Sequence, residues 1–266
     1  MAAQQGYQYE RNVAAFLKKK DLVDPAFSPA GATSQSADLE IIWKKKQINV
    51  ELKITAASGG SLVLKYKNKK WQFDDVRGEP EKQFLADLAK SSGALAKLNS
   101  MWKGVPAKFA NPSSTDRSEK MLAMKLKTAK TREEKNAIIE SEQKKFPEIK
   151  QELPGSVISN YYALKDTYYV NIGTNGFYRF GNDDPAGLNK NCKTNNIPII
   201  PSFAEVSVVK YRARVQPKGG GNFQYTFELS FSVSKSQNSP YNIGPCAGKG
   251  SVSIISRLAN TACFDY

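Results

Sequence analysis

The spacing of apolar residues changes several times along this chain, and each change marks a different predicted element. Residues 6–20 place apolar side chains on one face at helical spacing, which predicts an amphipathic helix. Residues 21–37 combine two prolines with small residues and predict a loop. Two short apolar runs follow at 38–43 and 47–55 with lysines between them, and this pattern predicts a β-hairpin.

The rest of the chain divides into a helical stretch and a strand-rich stretch. Residues 61–73 predict a second hairpin. Residues 79–153 are rich in lysine and glutamate and have apolar residues at helical spacing, which predicts a charged helical insertion. From residue 154 onward strand patterns dominate, and Asn175-Gly176 is a strong hairpin signal.

These elements predict an α/β protein with a mixed central sheet flanked by helices, a helical insertion and a β-rich C-terminal part. The predicted segments are a core over residues 1–78, the insertion over 79–153 and the β-rich part over 154–266. A chain of 266 residues is long enough for one large domain or for a core with an elaborate addition.

One acid stands alone after the predicted loop, and a second lies on the next strand with a lysine two positions later. Asp38 is the first acid, and Glu51 and Lys53 are the pair. Because side chains alternate between the faces of a strand, Glu51 and Lys53 point to the same face. Oxygen ligands suit Mg²⁺, so Asp38, Glu51 and the Leu52 carbonyl could hold such a cation beside a phosphodiester. Lys53 could contact the phosphate or orient hydroxide.

Other interpretations of these residues stay open. The acid and lysine on the strand could be a plain solvent-facing pair, and Asp38 alone is typical of a turn. Glu40 shares the strand face of Asp38 and is a possible substitute ligand. Asp74 and Asp75 could also reach a metal, although adjacent acids after a strand usually make a turn.

The ordered set of Glu10 on a first helix, Asp38 after a loop and Glu51-x-Lys53 on a strand resembles the PD-(D/E)XK nuclease superfamily. That group includes type II restriction endonucleases, junction resolvases and many phage nucleases. The match covers roughly residues 6–55, with alanine in place of the motif's proline before Asp38. The resemblance implies that both acids bind magnesium, with manganese as a substitute, that the lysine assists the attacking water, and that Glu10 supplies an extra ligand.

The resemblance also implies a restriction-endonuclease-like core that hydrolyses phosphodiester bonds in double-stranded DNA. A homodimer is expected, because cutting two strands needs two active sites. The favoured subclass is a sequence-specific enzyme of the restriction type, followed closely by a phage or viral nuclease acting on branched or host DNA. An RNA-cleaving member of the family and a non-catalytic nucleic-acid-binding protein are the alternatives.

The charge balance also favours a polyanionic partner. Lysine and arginine number 39 against 25 acids, a formal net charge of +14, although a lysine-rich proteome would give the same excess. Two basic clusters are candidate contacts to the DNA backbone, and a solvated strand face is the alternative for the second of them. They comprise Lys65, Lys67, Lys69 and Lys70, and Lys210, Arg212 and Arg214. By polarity alone, Asn222 and Gln224 are candidates for base contacts.

Several classes of protein are excluded or disfavoured by what the sequence lacks. It contains no histidine, which removes Ser-His-Asp and Cys-His hydrolases, and it has no phosphate-binding GxxxxGK[ST] loop. No CxxC pair occurs among Cys192, Cys246 and Cys263, so a structural zinc site is not expected. The odd number of cysteines favours reduced thiols, although a Cys246–Cys263 bridge stays open. With no secretory leader and no long apolar run, the expected location is the cytoplasm, or the host cytoplasm for a viral protein.

Overall fold

The chain folds as an α/β protein with a mixed sheet, helices and a β-rich C-terminal part, which confirms the predicted fold class. The computed structural model describes residues 2–29, 37–43, 45–54, 58–74, 76, 78–173, 175–189, 196–200, 209–218, 222–231 and 239–243. The helices are α1 (Ala2–Lys18), α2 (Pro80–Ser91), α3 (Ala94–Met101), α4 (Arg117–Thr128), α5 (Arg132–Lys145) and α6 (Ser156–Ala163). The strands are β1 (Leu39–Trp43), β2 (Lys46–Lys53), β3 (Ser58–Lys67), β4 (Lys70–Phe73), β5 (Ile149–Leu153), β6 (Thr167–Ile172), β7 (Gly176–Arg179), β8 (Val209–Lys218) and β9 (Asn222–Ser230).

The chain forms two compact units, and their boundaries differ from the three predicted segments. The first unit comprises Met1–Ala57, Leu153–Val209 and Phe231–Tyr266, and the second comprises Ser58–Glu152 and Lys210–Ser230. The predicted core over residues 1–78 is therefore divided, because β3 pairs with β9 in the second unit. The strands β8 and β9, predicted to complete the C-terminal part, join the helical insertion instead.

A mixed four-stranded sheet, in the order β1-β2-β6-β7, forms the centre of the first unit. The predicted hairpin of β1 and β2 is present, with Leu39 opposite Val50, and β2 runs parallel to β6. The Asn175-Gly176 signal is also confirmed, since β6 and β7 pair as an antiparallel hairpin.

The two faces of this sheet carry different layers. Val50 and Leu52 belong to a buried apolar cluster with Val13 and Leu17 of α1. Successive strand residues point to opposite faces, and on the other face Glu51 accepts a hydrogen bond from Tyr162 of α6. The helices α1 and α6 therefore cover opposite faces, and the acidic face of β2 looks toward α6.

The second unit contains an antiparallel arrangement of β4-β3-β9-β8 with β5 beside β8. Its core is an aromatic cluster around Trp71, whose ring lies 4.9–6.2 Å from those of its neighbours. Edge-to-face contacts of this kind add to the area that large rings bury. The neighbours are Trp102, Phe109, Phe146 and Tyr225.

Two helices of the second unit, α4 and α5, begin at residues whose side chains cap the backbone. The Asp116 side chain accepts hydrogen bonds from the backbone N–H groups of Ser118 and Glu119. Thr131 and Glu134 form a reciprocal capping box at the start of α5. None of the helices in the described ranges combines the length and apolar content that crossing a bilayer requires.

Candidate active site

Three side chains predicted from the sequence converge at the end of the β1–β2 hairpin. Asp38 immediately precedes β1, and the pairing of Leu39 with Val50 places it beside Glu51 on the same face. The Lys53 ammonium contacts Glu51 Oε1 and lies 3.7 Å from Asp38 Oδ2. The ammonium therefore sits between the two carboxylates.

The side chains of this site are buried to different degrees. The side chain of Glu51 is 4% exposed, whereas those of Asp38 and Lys53 are 16% and 19% exposed. Glu51 thus forms the floor of the site, and the other two reach toward its opening.

The backbone of Leu52 completes the arrangement. Its N–H donates to Asp38 Oδ2 at 2.9 Å, where β1 no longer supplies a partner. The next carbonyl, that of Lys53, accepts from the Gly173 N–H at 2.7 Å on the β6 side. Because successive residues direct their N–H and C=O groups to opposite neighbours, the Leu52 carbonyl points toward Asp38.

Sequence analysis missed two residues of this site, Tyr162 and Lys165. The Tyr162 hydroxyl donates to Glu51 Oε1 at 3.1 Å, and the Lys165 ammonium lies 3.6 Å from Glu51 Oε2. The same ammonium sits over the Tyr162 ring. Both residues come from α6 and the turn after it, more than a hundred positions along the chain, so no local spacing could have indicated them.

Burial and mutual repulsion separate the pKa values of the three acids. Burial, followed by the charge of Glu51, raises the pKa of Asp38 to about 6 against the opposing attraction of Lys53. Burial and the charge of Asp38 raise the pKa of Glu10 to about 7. Burial also opposes ionisation of Glu51, but the charges of Lys53 and Lys165 outweigh it and lower the pKa of Glu51.

Lys53 remains charged despite its burial. Desolvation would lower the pKa of its ammonium, but the charges of Glu51 and Asp38 outweigh desolvation and raise it. The site therefore holds a permanent cation among acids, of which only Glu51 is held firmly ionised.

The oxygen atoms of the site suit a hard divalent cation. Glu10 Oε2 is buried without a hydrogen-bond partner, whereas Glu51 Oε2 faces the Lys165 ammonium at 3.6 Å, beyond hydrogen-bond distance. A buried carboxylate oxygen without a hydrogen-bond donor favours a cation. In the part of the chain that the structure describes, no group of three or more acidic or cysteine side chains converges as a metal site. The candidate set is therefore two carboxylates and the Leu52 carbonyl, with Glu10 close enough for its pKa to respond to their charges.

The alternative acids have other neighbours along the chain. Glu40 pairs across the hairpin with Asn49 of β2. Asp74 belongs to the second unit, where its carboxylate lies 3.3 Å from the Lys65 ammonium. Asp75 is outside the described residues, as are the three cysteines.

The first basic cluster surrounds the β3–β4 hairpin of the second unit. Asn68 and Lys69 both have positive φ, as a two-residue hairpin turn of the primed type requires. Lys67, Lys69 and Lys70 are exposed, and Lys65 pairs with Asp74. The hairpin thus presents three solvent-facing ammonium groups.

The second basic cluster is ion-paired along β8. Arg212 lies opposite Glu228 of β9 and donates to its Oε2 at 2.8 Å. Arg214 donates to Oε1 of the same carboxylate at 3.2 Å, and Arg212 also lies 3.4 Å from Glu148 Oε1. Lys210 is half-buried opposite Ser230. A buried glutamate therefore engages both arginines predicted to contact DNA.

Comparisons of the chain with protein-family models, with curated proteins and with solved structures find no match.

Proposed function

We propose that this protein is a magnesium-dependent DNA endonuclease of the PD-(D/E)XK type. The observation that supports the proposal is the convergence of Asp38, Glu51 and Lys53 at one end of a hairpin. Residues that match a short motif by chance are less expected to have side chains in contact than to have the right spacing in the sequence. The mixed sheet and the preceding helix with Glu10 agree with the arrangement that the resemblance implies.

The carboxylates of Asp38 and Glu51 and the carbonyl of Leu52 would hold the cation, with Glu10 as a further ligand. When bound, a divalent cation neutralises phosphate charge and lowers the pKa of a coordinated water. The two lysines and Tyr162 keep Glu51 ionised and oriented.

Lys53 has two roles in this proposal. Without a metal its ammonium offsets the charges of both acids. With DNA bound, the same permanent cation contacts the scissile phosphate and stabilises charge that develops on it. In the metal-free protein the charges of Glu51 and Asp38 raise the pKa of Lys53 and favour its cationic form.

The favoured substrate is double-stranded DNA, cut by a homodimer of the restriction type. A phage or viral enzyme acting on branched or host DNA, and an RNA-cleaving member of the family, use the same site. Manganese is expected to replace magnesium, because both accept oxygen ligands.

Incubation of the protein with supercoiled plasmid and MgCl₂, against an EDTA control, tests this proposal. Asp38→Asn and Lys53→Met should each lower the cleavage rate at least about 100-fold, since each removes a group at the reacting centre. Lys46→Met is the matched control, because Lys46 is exposed on the same strand and should retain activity. Discrete fragments indicate sequence specificity, and a smear indicates general cleavage.

A second readout does not depend on catalysis. Millimolar MgCl₂ should raise the melting temperature of the wild type above that in NaCl of equal ionic strength, because a ligand of the native state stabilises it. The shift should be absent in Asp38→Asn. Full cleavage by either substituted protein would remove that residue from the proposed site.

A non-catalytic nucleic-acid-binding protein is the second candidate. One observation favours it: the ammonium of Lys53 already contacts one oxygen of each carboxylate, as in a structural ion pair. An intact plasmid that is nevertheless retarded in a gel, together with no magnesium effect on melting, would support this candidate against the nuclease.

A further inference from the structure

A cavity of about 270 Å³ in the second unit is lined by three lysines. Lys108 comes from a short 3₁₀ helix, Lys127 from the end of α4 and Lys135 from the first turns of α5. The cavity is far from the motif residues in the sequence, and none of the residues discussed as the candidate active site lines it. Leu126, Ala129, Asn222 and Phe223 complete its wall.

No carboxylate belongs to the lining of this cavity. Among the residues that the structure describes, Lys108 and Lys127 make no ion pair. The nearest acid in sequence, Glu134, is engaged by the backbone N–H groups of Lys130 and Thr131 in the capping box of α5. An anion entering the cavity would therefore meet the Lys108 and Lys127 ammonium groups, which pair with no acid among the described residues.

A fourth lysine, Lys65 of β3, interacts electrostatically with Lys108. Partial burial and the charge of Lys65 lower the pKa of the Lys108 ammonium, so the two cations repel each other. An anion that binds beside Lys108 would offset this repulsion.

The second unit also holds most of the excess charge of the chain. Its residues include 24 lysines and arginines against 14 acids, which is +10 of the total +14. A polyanion would therefore be attracted to this unit before any specific contact forms.

We infer that the lysine cavity formed by Lys108, Lys127 and Lys135 binds a backbone phosphate of the nucleic acid. The inference rests on the proposed function, since it supplies a contact for the substrate of that function. Ammonium groups bind phosphate as point charges, and the side-chain amide of Asn222 can donate to the same oxygens. Leu126 and Phe223 form the apolar part of the same wall.

Binding of a fluorescently labelled DNA duplex in EDTA tests the inference, because no metal-dependent cleavage can then occur. The double variant Lys108→Gln/Lys127→Gln should bind at least about tenfold more weakly, from the loss of charged hydrogen bonds. The slope of log K against log salt should become shallower by about 0.9 for one lost phosphate contact. The matched control is Lys97→Gln/Lys103→Gln, which removes two exposed lysines of the same unit that do not line the cavity.

The result that overturns the inference is equal affinity and equal salt slope for the two double variants. A free phosphate compound is the other source of the same ligand chemistry. If inorganic phosphate raised the melting temperature of the wild type but not of Lys108→Gln/Lys127→Gln, while DNA affinity was equal, the cavity would serve a small phosphate ligand and the inference would be wrong.

Failure of the inference and failure of the nuclease proposal give different results. Normal plasmid cleavage with unchanged DNA binding in Lys108→Gln/Lys127→Gln would contradict phosphate binding in the lysine cavity but agree with the nuclease proposal. Weaker DNA binding in that variant, with no cleavage by the wild type, would support phosphate binding in the lysine cavity and contradict the nuclease proposal.

Discussion

At the scale of single residues, the charged carboxylate of Asp38 in the candidate active site lowers the stability of the fold. Asp38 has a raised pKa because burial and Glu51 disfavour its charged form more than Lys53 favours it. Near neutral pH the folded protein must therefore carry a carboxylate that would be more stable in water. Groups that are costly to keep in the fold are common at functional sites, since selection keeps them for activity.

Neutralising Asp38 should therefore stabilise the fold in a pH-dependent way. The pKa of this carboxyl is about 6 in the fold and about 3.9 when unfolded. The stability that this group contributes is complete below pH about 4 and is lost as the pH rises through about 6. Asp38→Asn should thus be more stable than the wild type at pH about 8, by on the order of 2 kcal/mol, with little difference at pH about 4.

Urea unfolding at both pH values measures this effect. Asp183→Asn, at an exposed position of the same unit, is the control and should change little at either pH. A destabilised Asp38→Asn at alkaline pH would show instead that attraction to Lys53 outweighs burial.

The residues of the site were predictable only where local geometry fixes them. Period-two alternation is a property of every strand, so Glu51 and Lys53 could be placed on one face from the sequence. Tyr162 and Lys165 reach Glu51 only because β6 runs beside β2 and brings α6 with it. That pairing joins distant parts of the chain, and no local pattern specifies it.

At the scale of elements, the end of β2 depends on a glycine that directly follows the neighbouring strand β6. Gly173 has φ +36° and donates its N–H to the Lys53 carbonyl. A Cβ at this position would lie 2.2 Å from the backbone oxygen of Ile54. Backbone atoms cannot rotate away, so a larger residue would have to separate the two strands where Lys53 is held.

Gly173→Ala should accordingly lower the free energy of unfolding by more than about 3 kcal/mol, combining a steric clash with a positive φ. Gly187→Ala is the matched control, since Gly187 has φ +68° but no atom within 4 Å of an added Cβ. It should cost only about 1 kcal/mol. Equal losses in denaturant unfolding of the two variants would show that φ strain alone matters at residue 173.

In the β8–β9 hairpin, the strand register determines which residues lie opposite the arginines. Three consecutive glycines, residues 219–221, separate its strands in the sequence, and pairing outward from Lys218 and Asn222 places Arg212 opposite Glu228. The ion pairs of the arginines were therefore implicit in the register. The pairing of β3 with β9, which moves the second hairpin into another sheet, has no such local signal.

At the scale of the whole molecule, the positive charges have two different roles. Some neutralise buried acids, as Arg212 and Arg214 do for Glu228, and others face solvent, as Lys67 and Lys69 do. Net charge alone does not distinguish them, and a cation of the second kind can bind a phosphate group without leaving a buried carboxylate.

Two double variants with the same change in charge should separate these roles. Arg212→Gln/Arg214→Gln should lower stability by about 2 kcal/mol or more, because it leaves a buried carboxylate with weaker partners. Lys67→Gln/Lys69→Gln should leave stability within about 0.5 kcal/mol but make the salt dependence of DNA binding shallower. Thermal unfolding measures the change in stability, and fluorescence anisotropy in EDTA measures DNA binding. Weaker DNA binding in Arg212→Gln/Arg214→Gln, with unchanged binding in Lys67→Gln/Lys69→Gln, would contradict this assignment.

The position of Lys53 between two acids has a practical consequence under the proposed function. The ammonium serves as an internal counter-ion, so a chelator should leave a folded protein with its basic surfaces intact. Chelated protein mixed with uncut duplex is therefore the natural starting material for trapping a stable pre-cleavage assembly, and adding back the cation would start the reaction synchronously in every molecule.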